Sequence, residues 1–182
     1  MPIDPSSTSD AASVLAGAPT AFCCSKACPG DLILKAQDCA NARGPNSATV
    51  VGGFYTPIER DVLRILLRGP ASVISVLARA VQGNSMSPTL KIAVTVGTAQ
   101  IISPFPAAHT RTTAATAEAR KRHIVTLCRS VLLAYAAPGR KTEALASVAN
   151  ARGLPIQTPG SPADANFINM GATPLIALEY YE

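Results

Sequence analysis

Three short stretches of this chain bring together residue types that can hold an anion. In "EARKRH" Arg120, Lys121 and Arg122 stand in a row. In "YAAPGRKTEA" Pro138 and Gly139 form a turn, Arg140 and Lys141 are cations, and Thr142 can cap a helix or donate to a phosphate. In "VVGGFYTPIE" Gly52 and Gly53 lie between an apolar run and a helix start. A helix N-terminus offers amides and the positive end of its dipole, glycine lets the backbone come close, and Lys or Arg adds charge-assisted hydrogen bonds. Cations in a first helical turn oppose that dipole, so an anion beside Arg140 and Lys141 would relieve a conflict the helix alone leaves standing.

Each stretch also has a plainer explanation. Helical residues are about 100° apart, so at most two of residues 120–122 meet one ligand. Glu118, four residues before Arg122, offers that arginine a surface ion pair. Gly52 and Gly53 also suit a tight strand-to-helix turn, and without a third glycine they do not make a dinucleotide fingerprint.

Signs of catalysis are weak. There is no G-x-S-x-G elbow, and no spacing ties His109 or His123 to a nucleophile. Glu59 and Glu143 are explained as first-turn helix residues. Cys28 precedes a helix start, which favours a thiolate, but a packed thiol is its simpler reading. The five cysteines, Cys23, Cys24, Cys28, Cys39 and Cys128, are odd in number and read as free thiols. Their spacing supplies no C-x-x-C pair and no nearby histidine, so no metal site is expected. No catalytic set and no cofactor is expected either.

The elements that must position these residues follow from periodicity. "TAFCCS", "ATVVGGF", "ASVISVLA", "AQIIS", "SVLLAYA" and "PIQT" are short apolar runs of the kind buried strands require. Helices are expected between them. Asp31 caps the first, which Gly44 stops. Thr56, Pro57 and Glu59 open the second as a capping box, with Ile58, Val62, Ile65 and Leu66 on one face. Residues 114–128 and 141–152 form two more, long enough for parallel crossovers, and "LKIAVTV" leans towards helix over strand. The expected fold class is α/β, a Rossmann-like three-layer α/β/α sandwich with roughly five to seven mainly parallel strands. Ligands in such sheets bind beyond the carboxyl ends of the strands, here segments 24–31, 52–56, 78–85, 103–113 and 136–142.

Composition agrees. With 48% apolar and 15% charged residues the 182-residue chain can bury a core, and 4% aromatics leave Val, Ile, Leu and Ala to fill it. Residues 1–19 read as a flexible leader and 20–182 as a single domain. The net charge of +5 favours anionic partners. No apolar run approaches the roughly 20 residues that span a bilayer, and the opening segment lacks a basic n-region, so no membrane association and a cytoplasmic location are expected.

The order "VVGGF", "VISVLARA", "IISPFP", "EARKRHIVTLCRSVLLAYAAPGRKTEALA", "GLPIQTP" resembles the Rossmann-like core domain of the DNA-processing protein A (DprA/Smf) family, over about residues 22–175. Arg120-Lys121-Arg122 stands where that family has Arg-Asn-Arg, and "PGRKTEA" where it has a Ser-Gly-Ser-x-x-Thr-Ala turn. The resemblance implies a non-enzymatic protein that binds single-stranded DNA or a nucleotide at the strand ends, and admits a homodimer. Gly52, Gly53, Arg120, Arg122, Gly139, Arg140, Lys141 and Thr142 are then the phosphate- or DNA-binding residues. The "PG...KTE" turn is also similar to the "PGGxGTxxE" loop of the lysine-decarboxylase-like (LOG) phosphoribohydrolases, which implies a nucleotide hydrolase instead. A nucleotide-sensing module without turnover is the third reading.

Overall fold

The computed structural model describes residues 18–82 and 86–175. Apart from residues 18 and 19, the expected leader lies outside the described residues, as do residues 83–85 of one expected strand-end segment. Seven strands form one sheet: β1 (Thr20–Cys24), β2 (Val50–Gly52), β3 (Val73–Val76), β4 (Ala99–Ile102), β5 (Ser130–Tyr135), β6 (Ile156–Thr158) and β7 (Thr173–Pro174). Their spatial order is β4-β3-β2-β1-β5-β6-β7, and every pairing is parallel. The expected Rossmann-like α/β architecture is the observed one.

Among the described residues six α-helices complete the layers: α1 (Gly30–Asn41), α2 (Pro57–Leu66), α3 (Pro88–Thr95), α4 (Ala114–Leu127), α5 (Lys141–Ala151) and the short α6 (Ala165–Asn169). Period-2 alternation divides the core between them. Ala21 and Cys23 of β1 with Val131 and Leu133 of β5 pack under Ile124 and Val125 of α4 and Leu145 and Ala149 of α5. Phe22, Cys24, Leu132 and Ala134 face the other way, against Ala36 of α1, Val62 and Leu66 of α2 and Ala93 of α3. Strands covered on both faces need no polar side, which is why their sequences are continuous apolar runs. Among the described residues no helix is long and apolar enough to cross a membrane.

Local signals account for most boundaries. At α2, Thr56 Oγ1 accepts from the Glu59 amide at 3.2 Å while Glu59 reaches back to the Thr56 amide at 3.1 Å, the expected capping box. "LKIAVTV" is helical, with the Ser87 hydroxyl capping α3. Two local expectations fail. Asp31 does not cap α1; Pro29 holds that position without a side-chain bond, and Asp31 Oδ2 instead accepts from Ser161 Oγ at 2.8 Å. Thr142 does not cap α5 either. Arg140 holds the cap position with no side-chain bond, and Thr142 is buried inside the first turn.

Candidate functional site

The chain builds β1 to β4 outward in one direction and then returns through α4 to place β5 on the other side of β1. At that reversal the loops leaving β1 and β5 diverge, and a crevice opens at their carboxyl ends. A register shift between Cys23 and Cys24 marks the spot: Cys23 pairs with Leu133 but Cys24 with Tyr135. Beyond it the Ser25 amide bonds Tyr135 O at 2.8 Å, and Ser25 Oγ receives the Ala137 amide at 3.1 Å. These bonds tie the two diverging loops together.

The resulting cleft has a volume of about 760 Å³. Three expected strand-end segments contribute to its lining, those after β1, β2 and β5, while 78–82 and 103–113 do not. The first half of α4 supplies the remaining wall. Lys26, Arg120, Lys121, Arg140 and Lys141 line it against the carboxylates of Glu59 and Glu118.

Neither carboxylate near a helix start is idle. Glu59, buried in the third position of α2, takes three amides: Cys24 at 3.1 Å, Tyr55 at 2.8 Å and Thr56 at 3.1 Å. Glu143, third in α5, accepts from the Gly139 amide at 2.6 Å and from Asn166 Nδ2 at 3.2 Å. Gly139 adopts φ +69, which only glycine takes without strain. Two helix starts at the cleft, those of α2 and α5, thus each carry a glutamate in the first turn. The negative charge that Arg140 and Lys141 call for in the sequence comes from within, and side-chain cations remain as the attraction for an outside anion.

Arg120 is the most unusual of them. It is only 6% exposed, its Nε is buried without a hydrogen-bond partner, and among the described residues no carboxylate forms an ion pair with it. Burial pushes its guanidinium below the ordinary value, opposed by the nearby charge of Glu59. Arginine stays protonated in such a setting, so the fold holds a charged donor at the cleft with unused capacity. Arg122, by contrast, is exposed and lies 3.8 Å from Glu118, as the i,i+4 spacing predicts.

The two glycines have a different task from the one the sequence suggests. A Cβ on Gly52 would meet the Phe54 ring at 2.9 Å, and one on Gly53 would lie 2.6 Å from Arg120 Cζ. Neither lines the cleft. They make room for Phe54 and Arg120, and Phe54 itself takes the left-handed backbone at φ 46. Of the other sequence candidates, Arg120, Arg140, Lys141 and Thr142 line the cleft, while Arg122 and Gly139 do not. Lys121 from the cationic triplet, Tyr55 from the segment after β2 and Lys26 from the segment after β1 line it as well.

Of the five cysteines, Cys24 lines the cleft. Cys23 and Cys24 face opposite sides of the sheet, and burial raises the thiols of Cys23, Cys24 and Cys128. Cys28 is half-buried and burial raises it too, opposed by a hydrogen bond with Cys24. Among the described residues no three His, Cys, Asp or Glu side chains gather as metal ligands.

A doubly wound parallel sheet with a cationic cleft at its switch point places the chain among the Rossmann-like α/β domains. More particularly, the fold is that of DNA processing protein A. The chain superposes on DprA from Streptococcus pneumoniae with a TM-score of 0.73 at 19% identity, over 92% of this chain and 61% of that one. It superposes on DprA from Helicobacter pylori, solved for its single-stranded DNA binding mode, with a TM-score of 0.74 at 14% identity, over 93% and 80%. The molybdenum cofactor binding protein of Rippkaea orientalis is more distant, with a TM-score of 0.61 at 10% identity over 89% and 91%. The chain therefore spans less than two thirds of the pneumococcal protein. No protein-family model and no curated protein matches the sequence.

Proposed function

We propose that this chain is a DprA-like DNA-processing domain that holds single-stranded DNA, or a nucleotide, by its phosphates in the cleft at the ends of β1 and β5. The observation that carries the reading is Arg120: a guanidinium almost wholly buried, without an ion-pair partner among the described residues, and set against Gly53 beside the cleft. Holding an unpaired charge in the interior is costly, and a ligand phosphate offsets that cost. Lys26, Lys121, Arg140 and Lys141 extend the positive field along the rims, as a backbone-following groove requires. The single-stranded DNA binding mode for which the Helicobacter protein was solved supports the choice of polymer.

The proposed domain is non-catalytic, cytoplasmic and able to self-associate as a homodimer. Fluorescence anisotropy with a labelled oligonucleotide over a salt series tests the binding. Affinity should fall with salt at a slope of about 0.7 per neutralised phosphate on a single strand. A salt-independent affinity, or none, would refute the reading. Release of free base from nucleoside monophosphates would favour the phosphoribohydrolase alternative. Light scattering reads the oligomeric state.

A further inference from the structure

Beyond phosphate capture, the loop after β2 presents an aromatic surface. Phe54 and Tyr55 are neighbours in sequence with opposite fates: Phe54 is 6% exposed and Tyr55 67%. The left-handed φ of 46 at Phe54, uncommon for a bulky residue, turns its ring inward over Gly52. The next residue is thereby directed out. Glu59 fixes it there through the Tyr55 amide at 2.8 Å, in a carboxylate that also grips the end of β1. Strain held against such anchoring is typical of binding loops.

Tyr55 is the one aromatic among the described residues lining the cleft. Arg120 Cζ lies over its ring, 5.9 Å from the centroid. That contact steadies the ring from one side and leaves two thirds of the residue to solvent. An exposed, backbone-anchored ring and a buried cation thus stand side by side in the lining of one cleft.

We propose that Tyr55 is a stacking platform for a nucleobase, placed so that a ligand's base lies on the ring while its phosphate meets Arg120 and the rim lysines. The inference rests on the phosphate reading above, and it makes the ligand a nucleotide unit in place of any anion of suitable charge. Stacking tolerates every base, so it adds affinity without sequence preference.

The test compares an oligothymidylate with an abasic strand of equal length, bound by the wild type, Tyr55→Ala and Tyr55→Phe. Tyr55→Ala should bind the oligothymidylate roughly 5- to 100-fold more weakly, the range that base–aromatic stacking spans, and the abasic strand as the wild type does. Tyr55→Phe should bind both normally. Equal loss on both strands, or no loss on either, overturns the platform while leaving the phosphate reading intact. Failure of the wild type to bind any strand overturns both. Because Tyr55 is mostly exposed, its replacement should leave the melting temperature nearly unchanged, which separates a binding defect from misfolding.

Discussion

A methyl group on Gly53 would lie 2.6 Å from Arg120 Cζ, closer than any real contact allows. The glycine therefore fixes where the guanidinium rests, although the two residues are far apart in the chain and lie on different elements. Gly53 follows β2, Arg120 sits midway along α4, and the close approach joins them beneath the cleft. Removing that allowance and removing the guanidinium are two ways of disturbing one arrangement.

Gly53→Ala should consequently fold, since the clashing atoms are the far end of a long side chain, but it should displace Arg120 from its seat. Its affinity for single strands should fall about tenfold or more, as expected when a charged hydrogen bond of roughly 1.5–3 kcal/mol is lost. Arg120→Ala should fall similarly. The double variant should be no weaker than Arg120→Ala, since residues acting through one contact do not add. Additive losses in a double-mutant cycle would show that Gly53 acts independently of Arg120.

Arg122 provides the contrast. It is exposed and pairs with Glu118 at 3.8 Å, an arrangement worth a few tenths of a kcal/mol. Arg122→Ala should change single-strand affinity less than twofold, while Arg120→Ala lowers the salt slope by about 0.7, one phosphate contact. A larger effect at Arg122 than at Arg120 would place the ligand on the solvent face of α4.

What the sequence made legible and what it hid divide by range. The Thr56 and Glu59 capping box, the alternating strands and the Glu118–Arg122 pair are local, and all three follow from spacing. Asp31 was misread as a cap because its partner, Ser161, comes from the loop after β6. β7 has two residues, too few to show any period. Glu59 read correctly as a first-turn residue, but its hold on the Cys24 amide depends on the packing of α2 against the end of β1. Spacing gives Arg122 its partner Glu118 but says nothing of Arg120, whose burial only the tertiary fold decides.

Asp164 should make stability depend on pH. Its side chain is fully buried, the Ser161 amide donates to Oδ2 at 3.1 Å, and Oδ1 has no hydrogen-bond partner. Burial raises its pKa, opposed by the Ser161 amide, by Lys35 and by the Thr158 hydroxyl, which stands near but outside hydrogen-bond geometry. The folded state thus holds a proton that the unfolded chain releases near its ordinary value of 3.8. Stability from this group is greatest below that value and is lost as pH rises through the raised one. Asp164→Asn keeps an acceptor for Ser161 and cannot ionise. Urea midpoints measured from pH 4 to 7 should therefore be flatter for the variant, and parallel profiles would show that Asp164 titrates normally.

Glu143 and Lys141 give opposed predictions on one turn. The Glu143 carboxylate occupies the Gly139 amide at 2.6 Å, so it satisfies the start of α5 and repels any phosphate that approaches Lys141. Glu143→Gln keeps an oxygen for that amide, gives up the acceptor that Asn166 Nδ2 meets, and removes the charge. Its affinity for single strands should rise. Lys141→Glu should do the reverse, abolishing the attraction on this rim while adding about 0.3–1 kcal/mol of helix stability, because a carboxylate suits a first turn. The two variants should therefore move binding in opposite directions, and Glu143→Gln should lose dipole stabilisation of the kind Lys141→Glu adds. If Lys141→Glu bound as well as the wild type and Glu143→Gln gained nothing, residues 138–142 would be a turn whose charges are balanced internally, and the phosphate contacts would fall to Arg120, Lys121 and Lys26.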